Sequence, residues 1–151
     1  MKTLILAIGK IKDDGARDLI VEYQKRLRGK IEVKEFDLRD GTPTVLQKKE
    51  SETLLKNIPQ GSIVVACDGA GRQLSSRDFA AKLGAWQNQG AKTLVFLIGG
   101  ADGHTPDLLK KADFTLSFGT MTWPHRIARV MLIEQLYRAQ EIAAGNPYHR
   151  E

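Results

Sequence analysis

An α/β fold, with a mainly parallel sheet and helices on both faces, is what this chain of 151 residues predicts. Three observations carry that expectation. Short apolar runs alternate with segments whose apolar residues recur at helical spacing. Two of the runs, Ile63 to Cys67 and Leu94 to Ile98, are apolar throughout, as expected of strands buried on both faces. The connections are short, with no internal repeat, low-complexity segment or long linker, so residues 1–151 read as a single domain large enough to bury a sizeable core.

Each element has its own local signal. Thr3 to Ile8 is a compact apolar run closed by Gly9, and Asp14 to Leu27 places Ala16, Leu19, Ile20, Tyr23 and Leu27 at helical spacing. Ile31 to Leu38 alternates apolar and charged residues, the mark of a strand with one wet face. Thr42-Pro43 opens a second helix, since Pro at the first helical position gives up an amide hydrogen that has no partner there. That helix carries Val45, Leu46, Leu54, Leu55 and Ile58, but a charged middle from Lys48 to Glu52 interrupts its apolar face. Ser75 and Asp78 form a variant capping box ahead of a helix with Phe79, Leu83 and Trp86. Thr105-Pro106-Asp107 caps a short helix through Ala112, and Asp113 to Phe118 alternate as a half-buried strand. The last helix is expected from Pro124, as its first residue, to about Ala144, where Gly145 stops it.

Composition narrows the function classes. Hydrophobic residues at 42% and charged residues at 27% describe a globular chain. No apolar run approaches the roughly 20 residues that span a bilayer, and the apolar start is too short and too soon followed by Lys10 and Lys12 for a signal peptide. The expectation is therefore no membrane. A single Cys67 rules out an internal disulfide and a cysteine metal cage, which points to the cytoplasm, and three scattered His without paired carboxylates predict no metal. A net charge of +5 is compatible with an RNA partner without requiring one.

The glycines direct attention to one edge of the sheet. Ligands in open parallel sheets sit beyond the carboxyl ends of strands. The first strand ends in a lone Gly9, with no G-x-G-x-x-G, and no Walker motif exists. Three later strands each lead into a glycine loop: Cys67-Asp68-Gly69-Ala70-Gly71, Gly99-Gly100-Ala101-Asp102-Gly103, and Ser117-Phe118-Gly119-Thr120-Met121-Thr122-Trp123-Pro124-His125. Such loops let a ligand approach the main chain closely.

Leu97 to Gly103, Ser117 to His125, Leu136-Tyr137-Arg138-Ala139 and the terminal Asn146-Pro147-Tyr148-His149-Arg150-Glu151 together resemble the ribosomal RNA large-subunit methyltransferase H family of the SPOUT class. The resemblance covers essentially the whole chain. It implies a trefoil-knotted α/β domain, an obligate homodimer, and S-adenosylmethionine-dependent methylation of N3 of a pseudouridine in 23S rRNA, on the large subunit or the assembled ribosome. It also implies that Gly100, with Gly99 and Gly103 shaping its loop, approaches the cofactor. Gly119, Thr120, Met121, Thr122, Trp123 and Pro124 wrap the adenosyl part, and Cys67 stands at a strand-end position often filled by a larger aliphatic in the family.

The residues fit that chemistry. The acceptor is an imide nitrogen that must lose a proton, so a base or an anion-stabilising cation belongs beside it. His149 and Arg150 supply those two roles, and Tyr148 supplies a ring that stacks on or hydrogen-bonds the base. Asp68 and Asp102 are either ribose contacts or turn formers. His125, Arg126, Arg129 and Arg138 are either functional or ordinary helix residues, and Lys25, Arg26, Arg28 and Lys30 either grip phosphates or complement a helix end. Gly100→Val is expected to block the cofactor without unfolding the protein. Two alternatives stay open here: an RNA-binding factor of this fold without methyl transfer, and a doubly wound enzyme with a nucleotide at Gly9.

Overall fold

The computed structural model describes residues 1–12 and 14–150. Glu151, the last residue of the terminal motif, lies outside them. Five strands and five helices alternate: β1 (Lys2–Ile8), α1 (Gly15–Arg26), β2 (Ile31–Phe36), α2 (Pro43–Lys56), β3 (Ser62–Gln73), α3 (Ser76–Asn88), β4 (Thr93–Ile98), α4 (Pro106–Lys111), β5 (Phe114–Ser117) and α5 (His125–Ala144). The strands form one parallel sheet in the order β2-β1-β4-β3-β5.

The sheet is covered on both sides, as the continuous apolar runs require. On one side, Ile5, Val65, Leu94, Phe96 and Leu116 pack against Ile20 of α1, Phe79 and Trp86 of α3, and Leu132, Ile133, Leu136 and Ala139 of α5. On the other, Leu4, Leu6, Val64, Ala66, Val95 and Leu97 meet Leu54 of α2 and Leu108 of α4. Because successive strand residues point to opposite faces, β1 and β4 feed both cores at once.

The helix starts follow their capping residues. The carboxylate of Asp14 accepts from the amides of Ala16 and Arg17, and the hydroxyls of Thr42, Ser75 and Thr105 accept from those of Val45, Asp78 and Leu108. Gly145 ends α5 at φ 71°, the left-handed conformation that favours glycine there.

Three expectations are corrected. Pro124 is the capping residue before α5 and not its first helical residue; its carbonyl accepts from Ile127 and Ala128. The segment after Cys67 is not a loop that ends a strand. β3 continues to Gln73, and Asp68 to Gly71 bulge out of its pairing with β5, so that Cys67 and Arg72 share Leu116 as partner. Gly71 is there for the sheet: a methyl on it would stand 2.7 Å from the carbonyl oxygen of Thr115.

Candidate active site

The bulge of β3, the β4–α4 loop and the β5–α5 loop converge on one cleft of about 660 Å³ at the carboxyl edge of the sheet. Cys67, Asp68 and Gly69 form one wall, and Gly99, Gly100, Ala101, Gly103 and His104 a second. The third is Phe118, Gly119, Thr120, Met121, Thr122, Trp123 and Pro124, continuing into His125 and Ala128 of α5. All ten residues expected to hold a cofactor therefore line a single space. Sequence reasoning assigned no role there to Ile98, His104, Phe118 or Ala128.

The walls are joined by short polar links. The Ser117 hydroxyl, on a residue only 4% exposed, lies 3.1 Å from the carbonyl of Gly69 and 3.0 Å from that of Gly119, and accepts from the Gly119 amide. It thereby ties the bulge to the β5–α5 loop. Gly119 has φ 131°, a conformation that side chains resist. The Asp68 carboxylate accepts from the Ala70 amide at 2.9 Å, a turn-forming bond within the bulge. Met121 and Trp123 leave 74% and 42% of their surfaces exposed, so this wall ends in apolar side chains open to solvent.

The cleft contains no Lys or Arg among its lining residues, and Asp68 is its one carboxylate. Such a lining suits a neutral or cationic ligand better than a phosphate. Burial, aided by the nearby charge of Asp68, pushes the Cys67 thiol up to about 12, so Cys67 stays an uncharged packing residue and not a nucleophile. Burial also holds His104 below the ordinary imidazole value. His125 is lowered by burial and then by the positive charges of Arg129 and Arg126.

The first turns of α5 grip the β1–α1 loop. The imidazole of His125 covers Gly9, where a methyl would stand 2.9 Å from Nε2. Arg129, only 2% exposed, donates to the Gly9 carbonyl at 3.0 Å and pairs with Glu35 at 2.5 Å, while Arg126 pairs with Asp14 at 2.7 Å. Arg129 is thus a structural tie and not a solvated helix charge. Of the cations around Leu27, Arg26 pairs with Glu22 and Arg28 with Glu141, both guanidiniums at the surface.

The three tail residues expected near the acceptor are not in this cleft. Tyr148 packs edge-on against Tyr137, with ring centroids 4.7 Å apart, and donates to Glu134 at 3.0 Å. Arg138 lies over the Tyr148 ring, pairs with Glu134, and donates to Nδ1 of His149 at 3.2 Å. A guanidinium only donates, so that nitrogen of His149 accepts. Arg150 is exposed. Burial, followed by hydrogen bonds with Tyr23 and Glu134, raises the Tyr148 phenol above its ordinary value, which keeps it protonated. The tail is thus folded back on α5, beside a second, apolar cleft of about 430 Å³ lined by residues that include Leu19, Tyr23, Phe79, Phe118, Val130, Met131 and Glu134.

Comparison with known proteins decides the family. The family profile described as "Predicted SPOUT methyltransferase" matches residues 1–149. The chain belongs to the SPOUT methyltransferase family. Two relatives named "Ribosomal RNA large subunit methyltransferase H", from Rhodospirillum centenum and Paramagnetospirillum magneticum, are 44% and 45% identical, each alignment covering 99% of both proteins. A third of the same name, from Rhodopseudomonas palustris, is 40% identical with the same coverage. The solved structure of a probable methylase family protein from Haemophilus influenzae Rd KW20 superposes with a TM-score of 0.58 at 13% identity, covering 99% of this chain and 70% of that one, and supports the fold. SPOUT membership sets aside a doubly wound enzyme with its nucleotide at Gly9, where the His125 ring already sits. Among the described residues, no helix is long and apolar enough to cross a membrane, and no cluster of His, Cys, Asp or Glu is placed to hold a metal ion.

Proposed function

We propose that this chain methylates ribosomal RNA of the large subunit, with S-adenosylmethionine as donor and N3 of a pseudouridine in 23S rRNA as acceptor. It acts on the large subunit or the assembled ribosome in the cytoplasm, as a homodimer. The observation that carries the proposal is the convergence of the β3 bulge and two glycine-bearing loops on one cleft without Lys or Arg in a chain of the SPOUT family. The names of the relatives supply the substrate class.

The cleft fits the donor chemically. Main-chain groups of the Gly99–Gly103 and Gly119–Pro124 loops suit a neutral adenine edge, Asp68 suits a ribose hydroxyl or a cationic group, and Met121 and Trp123 suit apolar contact. When bound, S-adenosylmethionine supplies a methyl group activated by its sulfonium. The protein's task is then to orient the acceptor and manage its proton. His149 is the base that takes the imide proton on Nδ1 once that nitrogen exchanges its bond from Arg138 for the acceptor, Arg150 offsets the charge left on the ring, and Tyr148, as a protonated phenol, positions the tail through Glu134.

A dimer brings the two halves together. α5 buries Leu132, Ile133, Leu136 and Ala139 on its own sheet, while Val130, at the edge of that core, and Met131 line the second cleft. A second copy seated there places each tail beside its partner's donor cleft. The threaded C-terminal crossing implied by the resemblance belongs to the same proposal.

Ribosomes from a strain lacking this methyltransferase, incubated with the protein and labelled S-adenosylmethionine, are expected to gain one methyl group on a 23S pseudouridine by mass mapping. Donor binding without methyl incorporation would instead make the chain an RNA-binding factor. A stable monomer in sedimentation at micromolar concentration would exclude the dimer.

A further inference from the structure

Helix α2 presents polar side chains, where core packing would favour apolar ones, to the loop that follows β4. Gln47, Glu50 and Ser51 are separated by three and four positions from Gln47 and so share one face of the helix. Gln47 donates its amide to the carbonyls of Asp102 and His104, at 2.9 and 3.3 Å. The Ser51 hydroxyl accepts from the Thr105 amide at 3.0 Å. Glu50 lies beneath Gly100: a methyl there would stand 3.1 Å from each carboxyl oxygen and 3.1 Å from Ile8. Gly100 also lines the donor cleft, so the loop separates that space from the carboxyl.

Glu50 is 5% exposed, and its Oε1 is buried without a hydrogen-bond partner. A carboxyl in that position costs stability that a leucine would not. Gln47 and Ser51 already tether the loop, yet the group between them, closest to the donor-lining glycines, has an oxygen left over. Burial, with the negative charge of Asp102 behind it, holds the Glu50 carboxyl above the ordinary range, toward the acid form that both donates and accepts.

We propose that Glu50 is a positioning residue for the methyl donor: with donor bound, its carboxyl hydrogen-bonds the main chain of the Gly99–Asp102 turn and fixes that turn in its binding form. The inference rests on the reading that this loop holds S-adenosylmethionine. It also changes the expectation for Gly100→Val. The new side chain would press on Glu50 and Ile8, so the variant disturbs the shelf beneath the loop as well as the ligand above it.

The test compares full-length wild type, Glu50→Gln and Glu50→Leu by S-adenosylmethionine calorimetry and thermal unfolding. Glutamine keeps the neutral donor and acceptor and is expected to hold the Kd within about threefold. Leucine fills the space without either and is expected to melt no lower than wild type while binding about tenfold more weakly, with KM for the donor raised and kcat at saturation retained. Stability and affinity therefore move apart, which a merely structural residue would not produce. Should the leucine variant fail to fold, Glu50→Met takes its place with the same expectation. Leucine or methionine binding as tightly as wild type, or glutamine losing as much as leucine, overturns the role of Glu50. A wild type that binds no S-adenosylmethionine, or binds it equally after Gly119→Val, overturns the placement of the donor itself.

Discussion

The donor cleft and the C-terminal tail are built from opposite materials. The cleft is largely main chain and small side chains from three loops, with no Lys or Arg in its lining. The tail is side-chain chemistry: the Tyr148 phenol bonds Glu134, and the His149 imidazole bonds Arg138, which itself pairs with Glu134 on α5. Glu134 follows His125 by nine residues, about 14 Å along the helix axis. A protomer thus keeps the proposed donor cleft apart from the proposed proton-handling tail. On the proposed dimer one chain would be half of a working site, and the predictions test that division.

The largest effect is expected from removing one half. Deleting residues 148–151 should lower methyl transfer at least about a hundredfold while leaving S-adenosylmethionine affinity and sedimentation unchanged. Mixing that truncated chain with Gly119→Val, which spoils the cleft and keeps the tail, should restore activity through mixed dimers. No restoration would place both halves within one protomer. Next in size is Arg138→Ala, which removes the guanidinium that bonds His149 and lies over the Tyr148 ring. It should reduce kcat roughly tenfold or more with little change in donor Kd, read from paired kinetics and calorimetry.

Two glycines of the β3 bulge, of which Gly69 lines the cleft and Gly71 does not, differ in what a methyl would meet. Gly71→Ala places a methyl 2.7 Å from the Thr115 carbonyl and should cost about 1–3 kcal/mol in denaturant unfolding. Gly69→Ala meets nothing within 4 Å and should stay within about 0.5 kcal/mol.

A smaller, pH-dependent effect belongs to the tie beneath α5. Burial opposes ionisation of Glu35, yet the Ile11 amide and then Arg129 hold its carboxyl below the ordinary value. A depressed folded pKa gives stability that is complete above the unfolded value and lost as pH falls through the folded one. The melting-temperature advantage of wild type over Glu35→Gln should therefore shrink between about pH 5 and about pH 3. The slightest effect concerns Cys67, whose thiol at about 12 should resist iodoacetamide near pH 8 in the native protein and react once urea unfolds it.

How much of this was legible in the sequence depended on whether the signal was local. Thr42, Ser75 and Thr105 announce helices because each hydroxyl satisfies an amide three residues on, and all three do so. Leu94 to Ile98 shows its burial in its own letters. The cleft was legible because the ends of β4 and β5 share one edge of a parallel sheet, although its third wall is a bulge within β3 and not a strand-end loop. The polar middle of α2 concealed its purpose: Glu50 and Ser51 look like a broken apolar face until the β4–α4 loop lies over them. The bulge in β3 was hidden because its cause, the close approach of Gly71 to Thr115, lies on a strand more than forty positions away. The role of Arg129 stayed open for the same reason, since its partners are Glu35 of β2 and the Gly9 carbonyl just past β1. Pro147 after Gly145 predicts that Tyr148, His149 and Arg150 project from an extended end, and the structure corrects this: Tyr148 folds back onto Tyr137 and Glu134, contacts that a terminal motif does not announce.

The bond from Arg129 to the Gly9 carbonyl joins residues 120 positions apart in the chain. In a protein made from its amino end, Gly9 and Glu35 emerge long before the guanidinium that closes over them, and the wall from Gly119 to Pro124 emerges only just ahead of it. The proposed donor cleft is therefore completed only at the end of synthesis. A nascent chain stalled before α5 has left the exit tunnel should bind no S-adenosylmethionine, whereas the released chain should.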